Sequence, residues 1–185
     1  MIVNFIRHGK TVGNIEKRYI GRTDEPLCAE GIAEIKNNKY PSCDIVISSP
    51  MKRCIQTVDI IYPDKKPIIY DDLCECDFGD FESNNYIELS ENPDYQKWID
   101  SNGKNTFPNG ENPQNFRKRC TEIFLKAVRR YSSENLTFVV HGGTIMSVME
   151  KFAVPKRDYY DWQVKNGHGF VTEYSDGKIT ILEEI

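Results

Sequence analysis

The apolar residues Ile2, Val3, Phe5 and Ile6 form a short run that closes on Arg7, His8 and Gly9. A β-branched and aromatic run of this length, bounded by charge and glycine, predicts a strand over 2–7. The pattern returns in DIVISS at 44–49, PIIYD at 67–71 and LTFVV at 136–140. Helical patterns alternate with these runs: CAEGIAEIKNN after Leu27, PMKRCIQTVDII from Pro50, FRKRCTEIFLKAVRRYSS from Phe116 and GTIMSVMEKFA from Gly143. Strands alternating with helices predict a three-layer α/β/α sandwich around a mainly parallel central sheet. The tail, GFVTEYSDGKITILEE, departs from the alternation. Its two β-rich runs meet at Asp176-Gly177, a hairpin turn signal that predicts an antiparallel C-terminal edge. Residues 83–113 are polar and rich in Asn, Pro, Ser and Glu, with one helix expected around YIELSENPDYQKWID. They read as a cap-like insertion over one end of the sheet, within a single domain spanning 1–185.

Composition narrows the partners. The chain has 185 residues, 39% of them hydrophobic, enough for one core. A net charge of −4 with no long basic block argues against nucleic acid as a general partner. No segment approaches the roughly 20 apolar residues of a membrane span. MIVNFIRHGK has neither leading basic residues nor a small-residue cleavage site, so it does not read as a signal peptide. Six cysteines in that setting read as reduced thiols of a cytoplasmic protein. Cys74 and Cys76 form a C-x-C with no matching pair of zinc-type spacing, so they read as small semi-buried residues and no metal is expected.

The chemistry gathers at strand ends. His8 ends the first predicted strand and His141 the LTFVV strand, each followed by glycine. Ligands of open α/β sheets bind beyond the carboxyl ends of strands, so two of the three histidines fall where a ligand belongs. Arg7 beside His8 is a poor neighbour unless an anion sits between them, and Gly9 would let the chain turn close to it. In SSPMKRCIQT, Ser49 is expected to cap a helix with Pro50 at its first position. Lys52 and Arg53 then oppose the helix dipole, a cost of some tenths of a kcal/mol that a bound anion would reverse. Lys52 reads as solvent-facing. Arg53 offers a planar fork suited to phosphate oxygens. Gly142 and Gly143 open the last helix, whose free N–H groups can face an anion. Two imidazoles, two guanidiniums and a helix N-terminus thus converge on one phosphoryl group. No Walker-type glycine loop is present. A phosphate monoester also needs a proton for its leaving oxygen. A carboxyl group held near a dianion retains its proton more readily and can supply it. LCECDFGDFE at 73–82 offers Glu75 and Asp77, between which chemistry alone does not choose.

The ordered set RHGKT with Asn14, GRTDEPL, SSPMKRCIQT, LCECDFGDFE, PNGEN and HGG resembles the histidine phosphatase superfamily, with its phosphoglycerate-mutase-like fold. The resemblance implies that His8 is the nucleophile that becomes phosphohistidine. It implies that Arg7, Arg53 and His141 form the phosphate pocket and that Glu75, not Asp77, is the proton donor. Asn14 and Arg22 sit where the family lines its substrate pocket. Lys10 departs from the usual Glu or Gln, Phe81 and Ser83 from the usual Trp and Gly, and His168 from a small residue. The LCECDFGDFE segment is similar to that of the family's small phosphatases, α-ribazole phosphatases among them. The span from Glu75 to His141 is short beside the longer insertion of the mutases. The implied activity is a metal- and cofactor-independent phosphomonoesterase acting on a small phosphorylated metabolite such as α-ribazole 5′-phosphate. The alternatives are a phosphoglycerate mutase and, from another class, a non-catalytic phosphate-binding module.

Overall fold

The computed structural model describes all 185 residues, Met1–Ile185. Strand β1 (Ile2–Arg7) lies in a seven-stranded sheet with β2 (Ile45–Ser48), β3 (Ile68–Ile69), β4 (Leu136–Val140), β5 (Ala153–Val154), β6 (Gly169–Ser175) and β7 (Lys178–Glu184), in the order β3-β2-β4-β1-β6-β7-β5. β1, β2, β3 and β4 are mutually parallel, whereas β6 is antiparallel to both β1 and β7. The register sets the site. Phe5 lies opposite Phe138 and Arg7 opposite Val140, so His8 and His141 leave adjacent strands side by side.

Alternation along the strands separates two cores. Val3, Phe5, Leu136, Phe138 and Val140 pack with α5 (Pro113–Arg130) and α6 (Gly142–Phe152) on one face. Ile6, Val46 and Val139 pack with Val58 and Tyr62, at the end of α3 (Lys52–Ile61), on the other. Helix α2 (Ala29–Asn37) lies against α3 and completes that layer. The result is the three-layer α/β/α sandwich that the pattern predicts. No helix is long and apolar enough to cross a membrane.

Three details differ from the sequence reading. The hairpin β6–β7 forms at Asp176-Gly177 but is not the sheet edge. The two-residue strand β5 pairs parallel with Ile179 and Thr180 outside it, and two residues carry no readable periodicity. The helix expected from Tyr86 is confined to α4 (Pro93–Asp100). Asn92 precedes a proline, a position disfavoured in helical conformation, and caps Pro93's helix by accepting from the Asp94 and Tyr95 amides. Asn112 and Pro113 repeat this device and start α5 three residues ahead of Phe116. Residues 83–113 meet α5 and the 76–81 segment through a third core, in which Phe81, Leu89, Tyr95 and Phe107 pack on Phe116 and Cys120.

Candidate active site

His8 follows β1 directly and is only 4% exposed. Its Nδ1 lies 2.8 Å from the Gly9 carbonyl oxygen. A carbonyl only accepts, so Nδ1 carries the proton and Nε2 is left with its lone pair. Burial holds the His8 pKa well below the ordinary histidine value, and the charges of Arg53 and Arg7 push the same way. His8 is therefore a neutral imidazole with one free nitrogen. The Gly9 carbonyl is itself fixed, because the Asn166 amide donates to the His8 oxygen at 3.1 Å and approaches the Gly9 oxygen at 3.5 Å. Gly9 faces α2 and not the site. A Cβ there would lie 2.3 Å from Ile35 Cδ1, so glycine lets the strand end pack on the helix.

His141 stands edge-on to His8 with ring centroids 5.1 Å apart. It is fully buried, and its pKa is also well below the ordinary value, first through burial and then through Arg53 and His8. Its Nε2 is 2.8 Å from the Ser49 hydroxyl. Ser49 is thereby taken from the role expected of it. Helix α3 starts at Lys52, with Met51 at the cap and no capping side chain. The Ser49 hydroxyl is held at the end of β2 against His141 and meets only the Met51 amide, at 3.4 Å.

The two arginines are held differently. Arg53 has no exposed surface and donates to the carbonyls of Thr23 and Gly21, both at 2.8 Å. Its Nε has no partner. Arg7 donates through Nη1 to the Val164 carbonyl at 2.9 Å, and its buried Nε is also unpartnered. Burial lowers the Arg7 pKa, against an upward pull from Glu75. Two buried guanidinium N–H groups without acceptors stand near two neutral imidazoles, a donor set suited to an anion.

Glu75 is 9% exposed. Its Oε1 accepts from the Cys76 amide at 2.9 Å and its Oε2 from the Gly143 amide at 3.2 Å. Of the two N–H groups expected to face an anion at the start of α6, Gly143 thus serves Glu75, and only Gly142 keeps its donor unengaged. Gly143 has to be glycine for this approach, since a Cβ would lie 2.5 Å from Glu75 Oε1. Asp77, the other candidate carboxylate, accepts from the Gly79 amide at 2.9 Å and closes a turn.

A chamber of about 290 Å³ joins Arg7, Glu75, Gly142 and Gly143 to a wall of aromatic rings from Tyr19, Phe78, Trp98, Phe107, Phe116 and Tyr159. Asn14 lines it too, with its carbonyl oxygen accepting from Asn166 at 3.0 Å and its NH₂ unpartnered. Arg22 is exposed and lies outside the chamber wall. Two other cations line the chamber, both engaged. Arg18 pairs with Glu88 at 2.7 Å and also bonds Glu16. Arg117 pairs with Glu150 at 3.1 Å and lies 3.8 Å over the Tyr159 ring. Lys10 points to α2 and bonds Glu30 and Glu34, each at 2.6 Å, while His168 is exposed and donates to the Ile185 carbonyl. No three His, Cys, Asp or Glu side chains are grouped to hold a metal ion.

His8, His141 and Arg53 are buried beside the chamber and do not line it, whereas Arg7 and Glu75 do, and a free imidazole nitrogen, two arginines and a carboxylate gathered at the sheet end suit phosphoryl transfer of the histidine type. The profile of the histidine phosphatase superfamily (branch 1) matches residues 3–184, and the chain belongs to that family. It is 29% identical over 157 residues to the uncharacterized phosphatase PhoE of Bacillus subtilis (strain 168), covering 82% of this chain and 77% of that one. Its fold is similar to the crystal structure of a putative alpha-ribazole-5'-P phosphatase from Escherichia coli, with a TM-score of 0.87, 25% identity and coverage of 98% and 94%. It is also similar to that of a phosphoglycerate mutase from Thermus thermophilus, with a TM-score of 0.78, 26% identity and coverage of 100% and 98%. The chain is a histidine-phosphatase-type phosphatase.

Proposed function

We propose that the protein hydrolyses phosphate monoesters through a phosphohistidine on His8, with no metal or cofactor. The observation that carries this reading is the bond from His8 Nδ1–H to the Gly9 carbonyl, which leaves Nε2 as a free nucleophile. The Nε2 lone pair attacks phosphorus in line with the ester oxygen. The P–O bond breaks, and Glu75 in its acid form protonates the departing alcohol. Arg7 and Arg53 take the equatorial oxygens with their unpartnered donors, joined by His141 and the Gly142 amide. The Glu75 carboxylate then removes a proton from water, whose oxygen attacks the phosphorus. The P–N bond breaks, its electron pair returns to Nε2, and Glu75 is again an acid.

The chamber bears on the alcohol half. Its rings favour a flat or apolar group, and Arg18 and Arg117 are already paired with carboxylates. A glycerate carboxylate would find no free cation there, which favours a phosphatase over the mutase reading. An aromatic ribotide such as α-ribazole 5′-phosphate fits this chemistry, in line with the names of similar proteins. Asn14 and, although it lies outside the chamber wall, Arg22 are proposed substrate contacts, and residues 83–113 a cap. The six unpaired cysteines agree with a reducing, cytoplasmic setting. A purely phosphate-binding module would need neither His8 nor Glu75.

The test is a base-quenched reaction with p-nitrophenyl phosphate. Acid-labile phosphate is expected on His8, and His8→Ala is expected to lose the label and at least about 10⁴-fold in kcat. Activity retained in His8→Ala would remove the reading. Turnover of α-ribazole 5′-phosphate against 3-phosphoglycerate then addresses the alcohol.

A further inference from the structure

We propose that Arg119 and Glu111 are positioning residues that set the geometry of Glu75. The inference rests on Glu75 being the proton donor. Arg119 is on α5, outside the chamber wall, and reaches toward the irregular segment between two short 3₁₀ turns at Asp71–Leu73 and Gly79–Phe81. Its five N–H donors are all in use. Nη1 donates to the carbonyls of Asp72 at 2.6 Å and Cys74 at 2.7 Å, and Nη2 to that of Glu75 at 3.1 Å. Nε and Nη2 also grip Glu111 Oε1 and Oε2 at 2.8 and 2.9 Å.

Glu111 completes the brace. Its Oε2 accepts from the Asp77 amide at 3.4 Å, and its own amide donates to the Asp77 carbonyl at 2.9 Å. The backbone on both sides of Glu75 is thus tied to one ion pair, each side chain of which is 17% exposed. No sheet ladder holds residues 74–77. Strand partners fix His8, but Glu75 depends on side chains for its place. A planar fork can bind a carboxylate along one edge and carbonyls along the other, which a lysine ammonium cannot reproduce. A shift of about 1 Å in a proton donor is enough to remove most of its contribution.

A structural ion pair and a positioning one predict different kinetics. A nucleophilic attack that expels 2,4-dinitrophenolate needs no proton, whereas expulsion of benzyl alkoxide does. The test follows phosphoenzyme formation in a single turnover for 2,4-dinitrophenyl phosphate and benzyl phosphate, using the full chain and its Arg119→Lys, Arg119→Met and Glu111→Gln variants. Glu75→Gln and His8→Ala serve as references. Arg119→Met is expected to slow the benzyl reaction by about 100-fold, toward the Glu75→Gln rate, while the dinitrophenyl reaction changes by less than about 3-fold. Arg119→Lys and Glu111→Gln are expected to show the same split at smaller size. Equal losses on both substrates, or no loss on either, would overturn the proposal. Should Arg119→Met not fold, the two milder variants decide it by the same criterion. Absence of a leaving-group split in Glu75→Gln, with labelling of His8 intact, would instead overturn the assignment of Glu75 itself.

Discussion

His8 and His141 are held by paired strands: each follows a fully buried or sheet-bonded residue, and the β1–β4 register places them abreast. Trp98 and Phe107, in the wall of the neighbouring chamber, are held by ring-on-ring contacts within a polar insertion. Trp98 lies 5.2 Å from Phe107 and 6.0 Å from Tyr95, centroid to centroid. The first wall is fixed at its backbone, because the sheet's hydrogen bonds set where the two imidazoles leave the strands. The second depends on side-chain packing in a small separate core. Under the proposed function the first recognises the group transferred, and the second the group left behind. Glu75 stands between them, and substitutions there test where rigidity ends.

Gly143→Ala gives the largest expected effect. The added methyl would stand 2.5 Å from Glu75 Oε1 and 2.8 Å from the Phe116 ring, so the carboxylate or the helix must move. The Gly143 amide bond to Glu75 is lost or lengthened either way. kcat for an alkyl phosphate is expected to fall by about 100-fold, the scale of general acid catalysis, while binding of inorganic phosphate changes little. If phosphate affinity falls as steeply as kcat, the two walls are not separable in this way.

The strand-end wall was legible in the sequence and the other was not, for physical reasons. Arg7, His8 and His141 end short apolar runs before glycine, and a parallel sheet brings such ends to one edge. Glu75 and Asp77 are two residues apart in an irregular segment, and the residues alone do not say which carboxylate closes a turn. Asp77 does so by accepting from Gly79. Ser49 sits where a helix cap would, and only the position of His141 shows that its hydroxyl is claimed. Arg119 lies in a polar stretch of α5 and reads as one more surface cation. The one available signal was a glutamate eight residues before it, in a segment of no evident role. The aromatic wall draws on five separate segments, and no spacing rule relates Tyr19 to Trp98 or Tyr159. The insertion's helix was legible only in part: the pattern predicts a helix around YIELSENPDYQKWID but not the start that Asn92 and Pro93 impose on it.

An intermediate effect concerns pH. His8 and His141 are buried, neutral, and hold their pKa values well below the ordinary one. In the unfolded chain each would take up a proton near pH 6.5. Their folded pKa values are depressed, so the stability involved is present above about pH 6.5 and is lost as pH falls. The slope is expected to reach about 1.4 kcal/mol per pH unit for each histidine. Urea unfolding from pH 7.5 down to pH 5.5 should show this loss, and His141→Asn should roughly halve its slope. A profile flat over that window would mean that the histidine pair is solvated and that the first wall is less rigid than its register implies.

The smallest effect tests the second wall. Trp98 lines the chamber, and its buried indole N–H has no partner. Trp98→Leu retains an apolar contact for Phe81 and Phe107 but removes the broad ring face. Loss of one aromatic contact is worth about 1 kcal/mol, so KM for benzyl phosphate should rise by roughly fivefold. The ring meets the alcohol equally in ground and transition states, so kcat should stay within about twofold. KM for glycerol phosphate, which has no ring to place, should not move. The two substrates carry the same phosphoryl group to the same strand ends, so any difference between them comes from the wall that side chains alone hold. Equal shifts in both would mean that Trp98 supports the chamber's shape and that its face does not select the ring.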